Sequence, residues 1–402
     1  MPGTFKKHMP FCLQNEYFAF KNKLINIKYM RATFLILTAL LISSESNLKM
    51  VVNAHRHGIR NPSVIFPYLP TWIDPSAINE LTSAGIRQEY LAGKYVRLLY
   101  SSFIPDTYDP AKILIRSTNT NRTIQSAYCQ SYGLFSYSEQ VHGTQTITSR
   151  PPVINDLSEI ENILGSNITA NNFIPPVIKV ATTTYDTLLA PDWGVCEYYY
   201  KIQNQVYQTD EWNNLMTTFK NDYLPIIADM FSFDKNIVGN DSYINLLDSL
   251  ICAHYNSYIT LNSELIESFK NIYGLLTSTK YVGPPSMNYT LAKIGSSNVL
   301  NDIVEKFDRK VRDPSYELVY VEYSFHDTNI MYILYTLKLI PFGAYIPFAS
   351  NIFFELSAGG SDYNVKVIFN GEKLMDMPFE EFKEKVRSSV YSVKQWNKLC
   401  GL

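Results

Sequence analysis

Along this 402-residue chain, short continuous apolar runs occur at both ends and helical apolar spacing fills the middle. Leu48 to Ala54 (LKMVVNA) is apolar and rich in β-branched residues, which predicts a buried strand. Leu81 to Tyr100 follows as a helix, with Thr82 as its N-cap and Leu91, Tyr95, Leu98 and Leu99 at helical spacing. Ile113 to Ile115 predicts a short strand, and Asn121 to Tyr132 a helix. Between about 135 and 290 the texture changes. Pro151, Pro152, Pro175, Pro176 and Pro191 punctuate loops, and aromatic-rich helical patterns run through 197–233, 243–256 and 260–275. Strand patterning resumes at Leu318 to Tyr323, followed by a helix over Asn329 to Leu339. Ile352 to Leu356 and Val365 to Phe369 are two further strands joined through Gly359-Gly360, and a last helix is predicted over Pro378 to Val390. There is no internal repeat. The pattern predicts an α/β core from residues 47–134 and 291–402, interrupted by a helical cap over 135–290.

The first 46 residues read differently. They carry Lys6, Lys7, Lys21, Lys23, Lys28 and Arg31 against only Glu16 and Glu45, and then the apolar run Ala32 to Ile42 (ATFLILTALLI), followed by Ser43, Ser44, Glu45 and Ser46. A basic flank, a short apolar stretch and small residues after it predict a secretory signal peptide, opening at Met30, with residues 1–29 either an upstream extension or a mis-assigned start. The competing reading, a buried amphipathic helix, lacks a polar face. At 11 apolar residues the run is too short to anchor well in a bilayer, so stable membrane insertion is not expected.

Composition narrows the class. At 46% hydrophobic and 18% charged positions, the chain has ample material for a core and none of the signature of disorder. The formal charge of −2 argues against a nucleic-acid partner. Beyond Cys12, the cysteines are Cys129, Cys196, Cys252 and Cys400, an even number that two disulfides would use, in any of three connectivities. No CxxC pair is present. Sequons at Asn121, Asn167, Asn240 and Asn288 permit glycosylation on a secretory route.

The candidate chemistry gathers at strand ends. After the first strand stands Arg56-His57-Gly58-Ile59-Arg60-Asn61-Pro62. Ligands of open α/β sheets bind at the carboxyl ends of strands. Two guanidiniums around an imidazole fit a phosphate, because arginine offers planar, permanently charged recognition of phosphoryl oxygens. The same cations keep His57 neutral and nucleophilic in acid. Gly58 allows close backbone approach and Pro62 stiffens the exit. Directly after the second strand comes Arg116-Ser117-Thr118-Asn119-Thr120-Asn121-Arg122-Thr123. Arg116 at the strand end is placed to bring a third guanidinium to the same pocket, whereas Arg122, one helical turn on, reads equally well as structural. His326-Asp327 follows the strand ending at Tyr323, offering a group to hold phosphate and one to transfer a proton.

At these residues the chain resembles the histidine acid phosphatases, the secreted and lysosomal branch of the histidine phosphatase superfamily. Arg56, His57, Gly58, Arg60 and Pro62 match RHGxRxP, and Leu81, Thr82, Gly85 and Gln88 match LTxxGxxQ. Arg116 to Thr123 resembles RSTDxxRT, and His326-Asp327 the HD element. The resemblance implies a three-layer α/β/α core with a central, mostly parallel mixed sheet and a mainly helical inserted cap. It implies that His57 is the nucleophile forming a phosphohistidine. By the same resemblance Arg56, Arg60, Arg116 and His326 hold the phosphate, and Asp327 protonates the leaving oxygen. It further implies a phosphate monoester as substrate, no cofactor and no metal, a secreted or lysosomal location, and a homodimer as an oligomeric state the sequence does not decide. It also implies a Cys196–Cys400 disulfide; a Cys129–Cys252 bond is only what remains.

Departures from the family pattern bear on activity. Asn119 stands in place of an aspartate, Asn121 where a second acid is often found, Phe325 in place of alanine, and Glu197 in place of a proline after Cys196. Two readings compete with a broad monoester phosphatase: an inositol-phosphate phosphatase of the phytase kind, and a degenerate phosphate-binding relative. The small number of lysines and arginines over 135–290 disfavours the former, and the presence of both His57 and Asp327 the latter. His55 and His57 form an HxH pair, but companion ligands for a metal are lacking. His254 reads as a packed structural histidine and His142 as a loop residue.

Overall fold

The computed structural model describes residues 47–135, 173–181, 185–191, 194–360 and 362–402. The apolar run 32–42, His142 and the Asn167 sequon lie outside them. Lys49–Leu402 form one compact unit. In chain order its elements are β1 (Leu48–Arg56), α1 (Ser83–Leu99), β2 (Ile113–Ser117), α2 (Asn121–Phe135) and β3 (Ile178–Lys179). Next come α3 (Glu197–Val206), α4 (Asp210–Thr218), α5 (Leu224–Phe231), α6 (Tyr243–Tyr255), α7 (Ser263–Thr277) and α8 (Thr290–Arg312). The chain closes with β4 (Tyr320–Phe325), α9 (Asp327–Thr336), β5 (Asn351–Gly359), β6 (Asp362–Phe369), β7 (Glu372–Pro378), α10 (Phe379–Ser389) and α11 (Val393–Cys400). Among the described residues no helix is long and apolar enough to cross a membrane.

The strands form one sheet in the order β3-β2-β4-β1-β5-β6-β7. β3, β2, β4 and β1 run parallel, and β6 is antiparallel to both β5 and β7, which is the mixed, mostly parallel sheet expected. β1 and β4 are buried along nearly every residue, as central strands covered on both faces must be. β1 and β2 both flank β4, so their carboxyl ends, and the loops after all three strands, arrive side by side.

Two apolar clusters hold this arrangement. One surrounds the sheet and includes Val52, Val321, Phe354, Ile303 and Tyr332, with Tyr199 and Ile202 of α3. The other is helical, built on Leu246, Leu250, Phe269 and Leu276 of α6 and α7, and it takes in Ile59, Phe66 and Leu69 from the segment after β1. The arginine-bearing loop is therefore gripped from both sides. Two motif glycines make this possible. A Cβ on Gly58 would stand 2.5 Å from the carbonyl oxygen of Gly85, and one on Gly85 would stand 2.1 Å from that of Ile59. Gly58 thus serves backbone against backbone packing with α1 rather than approach to a ligand. Gln88 accepts from the Ile59 amide at 3.0 Å, and Thr82 both caps α1 and donates to the Ile59 carbonyl.

Cys196 and Cys400 are disulfide-bonded and tie α3 to α11, as the family resemblance implied. The remaining pair is corrected: Cys129 and Cys252 are both free. Cys252 points into the helical cluster beside Arg60, whereas Cys129 lies on α2 in a groove with Tyr90 and Tyr132.

Between β1, α1 and β4 lies a fully buried ionic network. His55 of β1 sits between Glu89 of α1 at 3.4 Å and Glu322 of β4 at 3.2 Å, and all three are closed to solvent. His55 and His57 consequently serve different surroundings. Burial alone would lower the His55 pKa, but the two carboxylates outweigh it and lift it to about 10. Burial raises that of Glu89 against the pull of His55. Both groups hold their proton more tightly folded than unfolded, so the stability they contribute is present in acid; the part from Glu89 begins to be lost as pH rises above 4.5, and the part from His55 is lost between 6.5 and about 10. Thermal unfolding is expected to show the wild-type melting temperature falling by about 5 °C more between about pH 6 and 9 than that of Glu89→Gln. Parallel slopes would contradict this assignment.

Candidate active site

The three loops after β1, β2 and β4 meet at a cleft of about 170 Å³ between the sheet and the helical cluster. His57, Arg60, Arg122, His326 and Asp327 line it from the sheet side, and Asp248 and Tyr273 from α6 and α7. Where α7 ends, a π turn at Ser278–Val282 widens the helix and brings Thr277 and Tyr281 into the wall.

His57 is nearly closed to solvent, and its Nδ1 lies 2.9 Å from the carbonyl oxygen of its neighbour Gly58. A carbonyl only accepts, so Nδ1 carries the proton and Nε2 keeps its lone pair. Burial, then the charges of Arg122, Arg56 and Arg60, hold its pKa well below 6.5. The ring is therefore neutral even in acid. His326 stands edge-on to it, centroids 5.6 Å apart. Arg122 Nη2 donates to His326 Nδ1 at 3.3 Å, which leaves Nε2–H to donate to Thr118 Oγ1 at 3.2 Å. Burial and the same arginines keep His326 neutral as well.

Arg56 lies behind the cleft. It is 1% exposed, stacks 3.9 Å over Phe348, donates to the Ile346 carbonyl and pairs with Asp327 at 2.8 Å. Asp327 begins α9, and its other oxygen accepts from the Thr328 amide at 2.9 Å. Arg60 is held by Asp248 through two bonds of 2.8 and 3.0 Å, and Ser63 donates to the same carboxylate at 2.9 Å.

Arg116 does not join them. In β2 the side chains of Ile113, Ile115 and Ser117 are buried on one face, and Arg116 leaves from the other, where it pairs with Asp186 at 2.9 Å and is 30% exposed. The third guanidinium of the cleft is Arg122, in the first turn of α2. Period-two alternation in the strand carried this signal. Asp248, Ser63 and Tyr273 had no local signature at all, since a buried acid in a helix becomes legible only through its partner 188 residues away.

Among the described residues no carboxylate pairs with Arg122. Burial, and then Arg60, pull its pKa down to about 10, so it remains charged in acid and poorly compensated. The Nε atoms of Arg56, Arg60 and Arg122 are all buried without a partner. Such a cluster of desolvated cations favours an incoming oxyanion.

The departures from the motif fall away from this geometry. Phe325 is fully buried in the sheet cluster rather than in the cleft wall, Asn119 is exposed, and Asn121 donates to Glu80 at 3.0 Å at the surface. His254 accepts from the Leu261 amide at 3.3 Å, outside the cleft lining.

Residues 70–370 match the family model of the histidine phosphatase superfamily, branch 2. The chain is 24% identical over 354 residues to lysosomal acid phosphatase of Xenopus laevis, covering 84% of this chain and 73% of that protein. To human prostatic acid phosphatase it is 23% identical over 343 residues, covering 81% of this chain and 78% of the relative. Among solved structures, a phytase from Citrobacter braakii superposes with a TM-score of 0.61 at 14% identity, covering 86% of this chain and all of the other.

Proposed function

This chain belongs to the histidine phosphatase superfamily, branch 2, and on that premise we propose that it is a secretory-route acid phosphatase. It hydrolyses phosphate monoesters through a phosphohistidine. The observation that carries the reading is the pinned tautomer of His57, whose proton on Nδ1 is held by the Gly58 carbonyl, leaving Nε2 its lone pair in a residue that lines one cleft with Arg60, Arg122 and His326.

In the first step His57 Nε2 forms a bond to phosphorus as the P–O ester bond breaks, and the departing oxygen takes the proton of Asp327. In the second, Asp327 as carboxylate removes a proton from water, whose oxygen bonds to phosphorus as the P–N bond breaks. Inorganic phosphate leaves, and His57 is again neutral. The charge that develops on the phosphoryl oxygens meets Arg60 and Arg122 directly, with Arg56 behind. Three guanidiniums supply this charge without a metal.

Besides the two arginines, the two histidines, Tyr273 and the two aspartates, the cleft wall adds Ile244, Asn245, Thr328 and Met331 to Ser63, Thr277 and Tyr281. These side chains suit an uncharged leaving group and offer no cation to further phosphates, which supports a monoester phosphatase over an inositol polyphosphate enzyme. The acid called for by the name follows from the mechanism, because Asp327 donates only from its protonated form while His57 stays neutral far into the acid range.

Hydrolysis of an aryl phosphate from about pH 4 to 8, with and without a chelator, tests the reading. The expected result is an acid optimum indifferent to chelator, with kcat lowered about 100-fold or more in Asp327→Asn, and inositol hexakisphosphate a poor substrate. Turnover that requires added metal, or that prefers inositol hexakisphosphate, would contradict it.

A further inference from the structure

We propose that Asp248 is a specificity-determining residue of this site, restricting the cleft to a single phosphate group of low charge. The proposal rests on the phosphatase reading above. It concerns oxyanion binding, however, and is tested apart from turnover.

Asp248 projects from the cap helix α6 and is 5% exposed. Both its oxygens are used on the terminal nitrogens of Arg60, and one also accepts from Ser63. Arg60 is at the same time a wall of the cleft. The guanidinium that should meet substrate is thus half-neutralised before substrate arrives. The charged and titratable groups around Asp248 are Arg56 at the end of β1, Arg60 from the loop after it, Arg122 from α2, Tyr273 from α7 and Cys252 one turn along its own helix. Burial favours the proton on Asp248, but Arg60 and the Ser63 hydrogen bond outweigh it, and the carboxylate stays ionised. Burial raises the Cys252 thiol and the Tyr273 hydroxyl, so both stay neutral.

The consequence is arithmetic. Arg56, Arg60 and Arg122 bring three positive charges, and Asp327 and Asp248, when ionised, bring two negative ones, with both histidines neutral. One net positive charge remains in a low-dielectric cleft. That balances a monoester carrying one charge, the form that dominates below the second phosphate pKa of about 6. A doubly charged ester, or a polyphosphate, overfills it unless Asp327 is protonated. Asp248 therefore sets how much negative charge the cleft accepts, while orienting the fork of Arg60.

Calorimetric titration with inorganic phosphate between about pH 5 and 8 tests this, the range across which phosphate passes from one charge to two. Wild-type affinity is expected to weaken as phosphate gains its second charge. Asp248→Asn is expected to bind phosphate about tenfold more tightly near neutrality, with a flatter pH dependence and a lowered KM for aryl phosphate. A merely structural role would lower the melting temperature and leave phosphate affinity unchanged or weaker; that outcome overturns the proposal. Should Asp248→Asn fail to fold, Asp248→Ser carries the same expectation. Wild-type protein that binds phosphate more tightly as its charge rises overturns the proposal without any variant. Phosphate binding as expected in a protein that turns nothing over would sink the phosphatase reading and leave this one standing.

Discussion

His57→Ala is expected to lower kcat/KM for an aryl phosphate by about 10⁴-fold or more, with little change in melting temperature or in affinity for inorganic phosphate. The size of the loss follows from what the side chain supplies. The other groups of the cleft bind and polarise the phosphoryl group, but only His57 combines a pinned tautomer, a neutral ring and a place on the cleft wall. Its neighbour His326 is no substitute, because Arg122 already occupies its Nδ1 and Thr118 its Nε2. The substitution leaves three arginines in place, so the anion site should persist. Steady-state kinetics and calorimetry on the same preparation check both halves. Activity within about tenfold of wild type would remove His57 from the mechanism.

The second large effect separates two arginines six residues apart. Arg122→Ala is expected to cost about 10² to 10³ in kcat/KM, through a higher KM as well as a lower kcat. Arg116→Ala should change kcat/KM by less than about threefold. Arg122 lines the cleft with no carboxylate partner among the described residues, so an arriving phosphoryl group is its compensating charge. Arg116 spends its charge on Asp186, whose carboxylate also accepts from the Leu188 and Leu189 amides. Its loss should loosen that turn and lower the melting temperature slightly. The reverse ranking in kinetics would mean that the phosphate sits nearer β2 than the cleft places it.

The same pair of arginines shows how far the sequence carries. The strand-end motifs were legible because their chemistry depends on residue type at short, fixed spacing, and β1 and β4 had unmistakable apolar runs. Its place at a strand end and the family resemblance both point to Arg116, while the alternation of Ile113, Ile115 and Ser117 turns its side chain to the opposite face. The 23-residue helix α8 gave no clear pattern because Ser296, Ser297 and Asn298 are buried along with the apolar residues of its first half, so polar and buried positions do not separate there. β3 is two residues long, and β7 alternates poorly with Glu372, Lys373 and Asp376 in it. Asp248 and the Glu89–His55–Glu322 network depend on contacts between distant segments, with separations of 188 and 267 residues, and no local rule reaches them.

The central claim is a covalent phosphoryl group on His57, and rapid quenching into alkali during turnover of a phosphoryl-labelled aryl ester tests it most directly. Alkali suits the experiment because phosphorus–nitrogen bonds to imidazole survive base and are cleaved in acid. The account predicts label on the peptide bearing His57, up to one phosphoryl group per cleft, formed and consumed at rates compatible with turnover and absent from His57→Ala. Turnover at full rate with no label retained, or label that survives in His57→Ala, would contradict it.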